Sequence, residues 1–206
     1  MIVCERGGEM ERTVILLAGG QSRRMGTNKA LLPLNGETVI SCIVKEAQRL
    51  GREMLLVTNQ PEAYAFLHLP IVNDRRKGMG PLAGLEAGLM ASRTEHNLLL
   101  ACDMPFFQAE TGERLLHYLH QYELAMPLAE GRCHPLCAAY RRSLLPKVQK
   151  ALDGGQRRMD SLLDAAKAKF IEGEDPNRFF NMNTMEDYEW VKTIHNKGER
   201  HEISAD

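Results

Sequence analysis

No stretch of this chain is apolar over the roughly 20 residues that a membrane-spanning helix needs. Its first residues, MIVCERGGEMER, contain no apolar segment of the kind that makes a secretory signal. Both absences predict a cytoplasmic protein with no membrane partner. An excess of one charge is missing too: 26 basic side chains stand against 27 acidic ones. Proteins whose main task is to hold nucleic acid usually carry a basic excess, so no nucleic-acid partner is expected. Cysteine is sparse. Cys4, Cys42, Cys102, Cys133 and Cys137 are scattered and odd in number, which predicts reduced thiols. Cys133-His134-Pro135-Leu136-Cys137 hints at zinc, but no second Cys or His pair at finger spacing accompanies it. No Ser-His-Asp or Cys-His arrangement can be argued from spacing. His68, His96, His117, His120, His195 and His201 read as surface or packing residues.

What is present is an ordinary globular composition, 44% hydrophobic and 26% charged over 206 residues, enough for one α/β domain with a sizeable core. Met1–Glu9 reads as a disordered tail, with Met10 a second candidate start. Residues 10–195 read as the domain, and 196–206 as a polar, disordered end. Apolar runs at Val14–Leu17, Met54–Thr58, Pro70–Val72 and Asn97–Cys102 read as buried strands. Leu124–Pro127 and Leu136–Tyr140 read as two more. Helical spacing predicts helices from Thr38 to Leu50, Leu82 to Ala91, Ala109 to Tyr122, Leu144 to Leu152, Met159 to Lys169 and Met185 to about His195. Asn35-Gly36 marks a turn, and Pro61–Leu67 a short helix. Ala83 and Gly84, small residues in the first turn of their helix, would allow something to approach its N-terminus closely. Strands alternating with helices give a single-domain, three-layer α/β/α fold around a doubly wound, mostly parallel sheet. Such sheets bind ligands outside the carboxyl ends of their strands. Gly19-Gly20, Asn59, Asp74 and Asp103 each follow directly on a predicted strand.

The first strand runs into Ala18-Gly19-Gly20, passes Arg23, Arg24 and Gly26, and reaches Lys29. Glycines let backbone N–H groups approach an anion, and the cations supply charge, so the loop suits a phosphate chain. It is neither G-x-x-x-x-G-K-[ST] nor G-x-G-x-x-G. A plain strand–turn–helix connection with solvated basic residues is the bland alternative. Asp103 precedes Met104-Pro105, and the proline fixes the chain's exit. One carboxylate with nucleotide phosphates and water is a usual way to hold Mg²⁺. The competing reading makes Asp103 a cap for the next helix.

Leu17-Ala18-Gly19-Gly20, Arg24-Met25-Gly26 and Lys29 resemble the signature of nucleotidyltransferases with the nucleotide-diphospho-sugar transferase fold, which is Rossmann-like. Asp74, Gly80-Pro81-Leu82-Ala83-Gly84, Cys102-Asp103-Met104-Pro105-Phe106, His134-Pro135-Leu136 and Asn181-Met182-Asn183-Thr184 follow in order. From about Thr13 to Trp190 the chain is similar to the molybdenum cofactor guanylyltransferases. The resemblance implies Mg²⁺-dependent transfer of GMP from GTP to the terminal phosphate of the molybdopterin cofactor, with release of pyrophosphate. It implies that Leu17, Ala18, Gly19, Gly20, Lys29, Asn59, Asp74, Gly80 and Asp103 contact GTP. Lys29, Asp103 and Arg24 would be catalytic, with Asp103 on the metal. Pro135, Leu136, Asn181 and Asn183 would face molybdopterin, although Asn183-Thr184 is equally a plain helix cap. Cofactor-delivering and molybdoenzyme maturation proteins are implied partners, and the chain is expected to be a monomer or weak oligomer. Asn28 departs from the family, where many relatives carry an acid before the lysine. A cytidylyltransferase for the same cofactor, a sugar-phosphate nucleotidyltransferase, and a nucleotide-binding regulatory module without turnover are the alternatives.

Overall fold

The computed structural model describes residues 11–19, 28–50, 53–76 and 78–203, with backbone only from 196 onward. Strand β1, Arg12–Leu17, lies in the middle of the molecule, with Val14, Ile15 and Leu16 fully buried. A strand buried on both faces needs apolar residues at successive positions, which is why its sequence is a continuous run rather than an alternation. The other strands are β2 Pro33–Leu34, β3 Glu37–Thr38, β4 Glu53–Val57, β5 Ile71–Val72, β6 His96–Ala101, β7 Leu124–Ala129, β8 Arg132–Cys133, β9 Cys137–Arg141 and β10 Ala168–Ile171. The helices are α1 Val39–Gln48, α2 Pro81–Ala91, α3 Ala109–Tyr118, α4 Leu145–Asp153 and α5 Met185–Ile203.

The main sheet has the order β10-β7-β9-β6-β1-β4-β5, with β8 paired to β7. β1 is parallel to both β4 and β6, β5 to β4, and β10 to β7. Only β9 among these seven runs against its neighbours, β6 and β7. Successive side chains of a strand point to opposite faces. Val14, Leu16, Leu98 and Leu100 accordingly join one core with α1, α3 and α5, and Ile15 and Leu99 join another with α2 and α4. The predicted three-layer architecture follows.

Asn35 and Gly36 take φ of 49° and 78°, the double left-handed turn of a tight hairpin, and connect β2 to β3. Thr38 then caps α1 through its side chain, which accepts from Ser41 N. Three predicted elements differ. Met159–Lys169 is not one helix: a 3-10 turn at Met159–Leu162 gives way to β10. Ala168–Ile171 pairs with Leu124–Pro127, and that long-range pairing overrides a local helical pattern. Helix α3 stops at Tyr118 rather than Tyr122. Helix α5 continues through Ile203, past the His195 boundary, over a stretch of Lys, Glu and Arg with good helix propensity. The β8 hairpin was not predicted, although Glu130-Gly131, both at positive φ, is its turn.

The small residues at the start of α2 serve the sheet. A Cβ at Gly84 would lie 2.9 Å from Leu17 Cδ2, and one at Gly88 only 2.4 Å from Ile15 Cγ2. What approaches the helix closely is therefore β1. Alanine in place of glycine within a helix gains about 1 kcal/mol of propensity, but overpacking a closed core costs ~1–3 kcal/mol. Ile15 is fully buried and cannot yield. Gly88→Ala is therefore expected to lower the urea midpoint with an unchanged m-value. A higher midpoint would show that the packing of α2 on β1 is looser than this geometry.

Candidate active site

Leu17, Ala101, Val57 and Val72 end four neighbouring parallel strands on one edge of the sheet. Ala18 N donates to Val57 O at 2.9 Å, Cys102 N to Leu17 O at 3.1 Å and Thr58 N to Val72 O at 3.0 Å. These bonds carry the pairing one residue beyond the strands and hold their ends level. Gly19, Asn59, Asp74 and Asp103 thus leave the same rim, as the alternating pattern predicted. Because β9 runs the other way, its entry also lies there, and Ala101 N donates to Leu136 O at 2.9 Å. Pro135-Leu136 joins the rim for that reason. Gly20 and Arg24, with Arg23 and Gly26, lie outside the described residues.

Lys29 opens a 3-10 turn that is anchored at both sides. Ala30 behind it is buried. In front of it, Asn28 Nδ2 donates to the Tyr64 hydroxyl at 2.9 Å, and that hydroxyl can donate back to Asn28 Oδ1 at 3.2 Å. An amide offers both a donor and an acceptor to a phenol, whereas a carboxylate only accepts. This gives the Asn28 amide a structural use. Desolvation pushes the Tyr64 hydroxyl up to about 12, so it stays neutral.

Asp103 does not cap α3. That helix starts at Ala109, and its N–H is taken by the Glu46 carboxylate of α1 at 2.7 Å. The Asp103 side chain is half-buried. Desolvation raises its carboxyl above the ordinary 3.8, and the nearby Lys29 charge and its own backbone N–H oppose that rise. The lysine charge sits within electrostatic reach of the carboxylate. Its neighbour Cys102 is pushed up by burial, which keeps that thiol protonated and unreactive.

The late segment closes the arrangement. Met182 N donates to Asp103 O at 2.9 Å, and Lys29 Nζ donates to Asn183 Oδ1 at 3.1 Å. Residues from near the two ends of the chain therefore meet Asp103 in the middle. Thr184 performs the capping at α5: its hydroxyl accepts from Asp187 N at 3.1 Å, and Asp187 Oδ2 accepts from Thr184 N at 2.7 Å. The Asn183 side chain is free of that task. Farther along the rim, Asp74 Oδ1 accepts from Arg76 N at 2.8 Å, which commits one carboxylate oxygen to its own loop. Arg76 is held in turn by the buried Glu86 at 3.0 Å and by Asp153 at 2.8 Å. Gly80 begins α2 at φ 76°, and a Cβ there would meet Arg157 O at 3.2 Å, so glycine is required by the backbone alone.

One support of this site escaped the sequence reading, and a second was named there only within a motif. Glu174, its side chain 2% exposed, accepts from Arg114, from Arg178 at 3.0 Å and from Thr111 Oγ1 at 2.8 Å. It pins the segment that carries Asn181–Asn183 against α3. His134 stacks on Phe179 with ring centroids 4.7 Å apart, joining the Pro135-Leu136 turn to the same segment. No local pattern marks Glu174; for His134 the signal was its place beside Pro135.

A family profile described as MobA-like NTP transferase domain matches residues 14–169. The chain belongs to that family. As a MobA-like NTP transferase it is a nucleotidyltransferase. A Carboxydothermus hydrogenoformans protein named "Probable molybdenum cofactor guanylyltransferase" is 39% identical over 189 residues, which cover 88% of this chain and 95% of that protein. A Bacillus cytotoxicus protein of the same name is 33% identical over 193 residues, covering 89% and 97%. Molybdopterin-guanine dinucleotide biosynthesis protein A from Archaeoglobus fulgidus superposes with a TM-score of 0.77 at 24% identity, covering 90% of this chain and 99% of that one. That likeness shows a common fold.

Removing one member of a buried ion pair costs about 3–5 kcal/mol, less here because Arg114 is half-exposed. Glu174→Ala is expected to destabilise the MobA-like domain by about 2–3 kcal/mol in urea, and Glu174→Gln by less. A neutral result for Glu174→Ala would remove the clamp from the account of the site.

Proposed function

We infer that the chain is a molybdenum cofactor guanylyltransferase, joining GMP from GTP to the terminal phosphate of the molybdopterin cofactor and releasing pyrophosphate. The observation that carries the reading is the meeting of Lys29, Asp103 and the Asn181–Asn183 segment on one rim. Relatives covering nearly the whole chain bear that activity in their names.

The reaction needs positioning and charge neutralisation more than covalent help. An oxygen of the acceptor's phosphate bonds to the α-phosphorus of GTP as the bond to the β-phosphate oxygen breaks. Lys29, with Arg24 and the backbone of Gly19-Gly20, holds the triphosphate and offsets charge gathering on the pyrophosphate. Leu17, Ala18, Asn59, Asp74 and Gly80 line the nucleoside side. Pro135, Leu136, Asn181 and Asn183 receive the pterin. Asp103 suits Mg²⁺ as a desolvated carboxylate at the rim, beside the Lys29 charge. One carboxylate with substrate phosphates and water is what this cation accepts. When bound, Mg²⁺ supplies charge neutralisation at the transferred phosphorus. A cytoplasmic location, exchange of the cofactor with delivery and maturation proteins, and a monomeric or weakly oligomeric state complete the proposal. None of the described helices is long and apolar enough to cross a membrane.

Incubated with Mg²⁺, the molybdenum cofactor and each nucleoside triphosphate in turn, the purified protein is expected to release pyrophosphate with GTP. Release with CTP alone would overturn the base assignment. GTP binding without any release would make the chain a regulatory module. Asp103→Ala is expected to abolish turnover and leave the fold intact; near-normal activity would remove the metal role.

The raised Asp103 carboxyl sets a pH dependence. Its ionised form is the useful one, so kcat/KM is present above its pKa and lost as pH falls through it. The acid limb should therefore lie above the ordinary 3.8. For stability the sign reverses. A folded-state pKa above the unfolded value stabilises below the unfolded pKa, and that contribution is lost as pH rises through the folded one. Asp103→Asn, which removes the desolvated charge, should be at least as stable as wild type at pH 7 by thermal melting. Lower stability there would contradict the desolvation argument.

A further inference from the structure

Asn183 is exposed, and its side chain is spared by the Thr184–Asp187 cap. Both ends of its amide are nevertheless engaged. Oδ1 accepts from Lys29 Nζ at 3.1 Å, and Nδ2 donates to Asn181 O at 3.0 Å. Two residues back, Asn181 Oδ1 is buried with no hydrogen-bond donor among the described residues. A buried acceptor left unpaired is costly and usually awaits a partner.

On the functional reading above, which this inference deepens, Lys29 belongs to the triphosphate and the two asparagines to the acceptor. The structure joins the two sites side chain to side chain through the Lys29–Asn183 hydrogen bond, beside the backbone bond from Met182 N to Asp103 O. A lysine ammonium offers three donors on a flexible stem, and a phosphate oxygen attracts it more strongly than a neutral amide does. We propose that the Lys29–Asn183 hydrogen bond is a latch between the two substrate sites: a triphosphate draws Lys29 off Asn183, and the released amide oxygen then receives the acceptor. Once Lys29 leaves, Asn183 Oδ1 and Asn181 Oδ1 are two amide oxygens in one short segment that can accept from the same ligand. A pterin ring, with its amino group and ring N–H, supplies such donors. The latch makes nucleotide binding strengthen acceptor binding, and linkage requires the converse to the same degree. In this scheme Asn183 acts on the nucleotide through Lys29 and on the acceptor directly.

The test uses the full-length protein and two substitutions at this exposed position. Titrated with Mg-GTP in a calorimeter, Asn183→Ala is expected to bind roughly threefold to tenfold more tightly than wild type, because nothing competes for Lys29. Asn183→Asp should bind more weakly, and its deficit should shrink as salt screens the new ion pair. Molybdopterin is then titrated with and without a non-hydrolysable GTP analogue. Wild type should show about a fivefold or greater gain from the nucleotide, and Asn183→Ala none. Weaker GTP binding by Asn183→Ala would mean that Asn183 merely orients Lys29, and the latch would be wrong. Acceptor affinity in wild type that ignores the nucleotide would sink it equally. Wild type that binds no GTP at all refutes the guanylyl reading itself and the latch with it. That result is distinct, since the other failures leave wild-type GTP binding intact.

Discussion

Strand β1 is hydrogen-bonded on both sides, to β4 and to β6, up to and just past its last residue. Every group argued to act on substrate depends on that pairing. Polar residues that follow separate strands share a site only if the strands end at one height. The Ala18–Val57 and Cys102–Leu17 bonds impose that height. The continuous apolar runs of β1 and β6 make the pairing rigid, since both faces are packed and a slip of one residue would expose neither face to water but clash with both cores.

The site built on this frame is locally unfavourable in several ways. Asp103 keeps a carboxylate where burial disfavours the charge. Asn181 holds a buried oxygen without a donor among the described residues. Such features persist when the surroundings determine the backbone regardless of them. Here the determination comes from Met182 N on Asp103 O, from the Glu174 clamp and from the His134–Phe179 stack. Each of the three links a different element to the same short segment. Stability is thus supplied beside the reactive groups rather than by them, which is how a binding site can hold unsatisfied groups and still be ordered.

Much of this was legible from local pattern. The strands of the first half and the helices between them read correctly because buried strands and amphipathic helices have distinct periods. Their alternation placed Gly19, Asn59, Asp74 and Asp103 on one edge without any knowledge of distance. The cap at α5 and the turn at Asn35-Gly36 were legible for the same reason: the residue types carry the backbone geometry. Reading failed where a partner far along the chain decides. Ala168 and Lys169 look like the end of a helix and join a strand only because β7 offers an edge. Glu174 looks like any surface acid and is buried only because two arginines come to it.

The sequence by itself determined the nucleotidyltransferase fold class, the phosphate-suited Lys29 loop and the order of the family motifs, since each is written in residue types at short spacing. Tertiary structure alone decided that β9 turns back, so that Pro135-Leu136 enters beside Asp103. It alone decided that Lys29 rests on Asn183, across most of the chain. The reason is physical. Local propensity acts over a few residues, whereas which strand edge is open and which ammonium finds which amide are settled only when the whole sheet has closed.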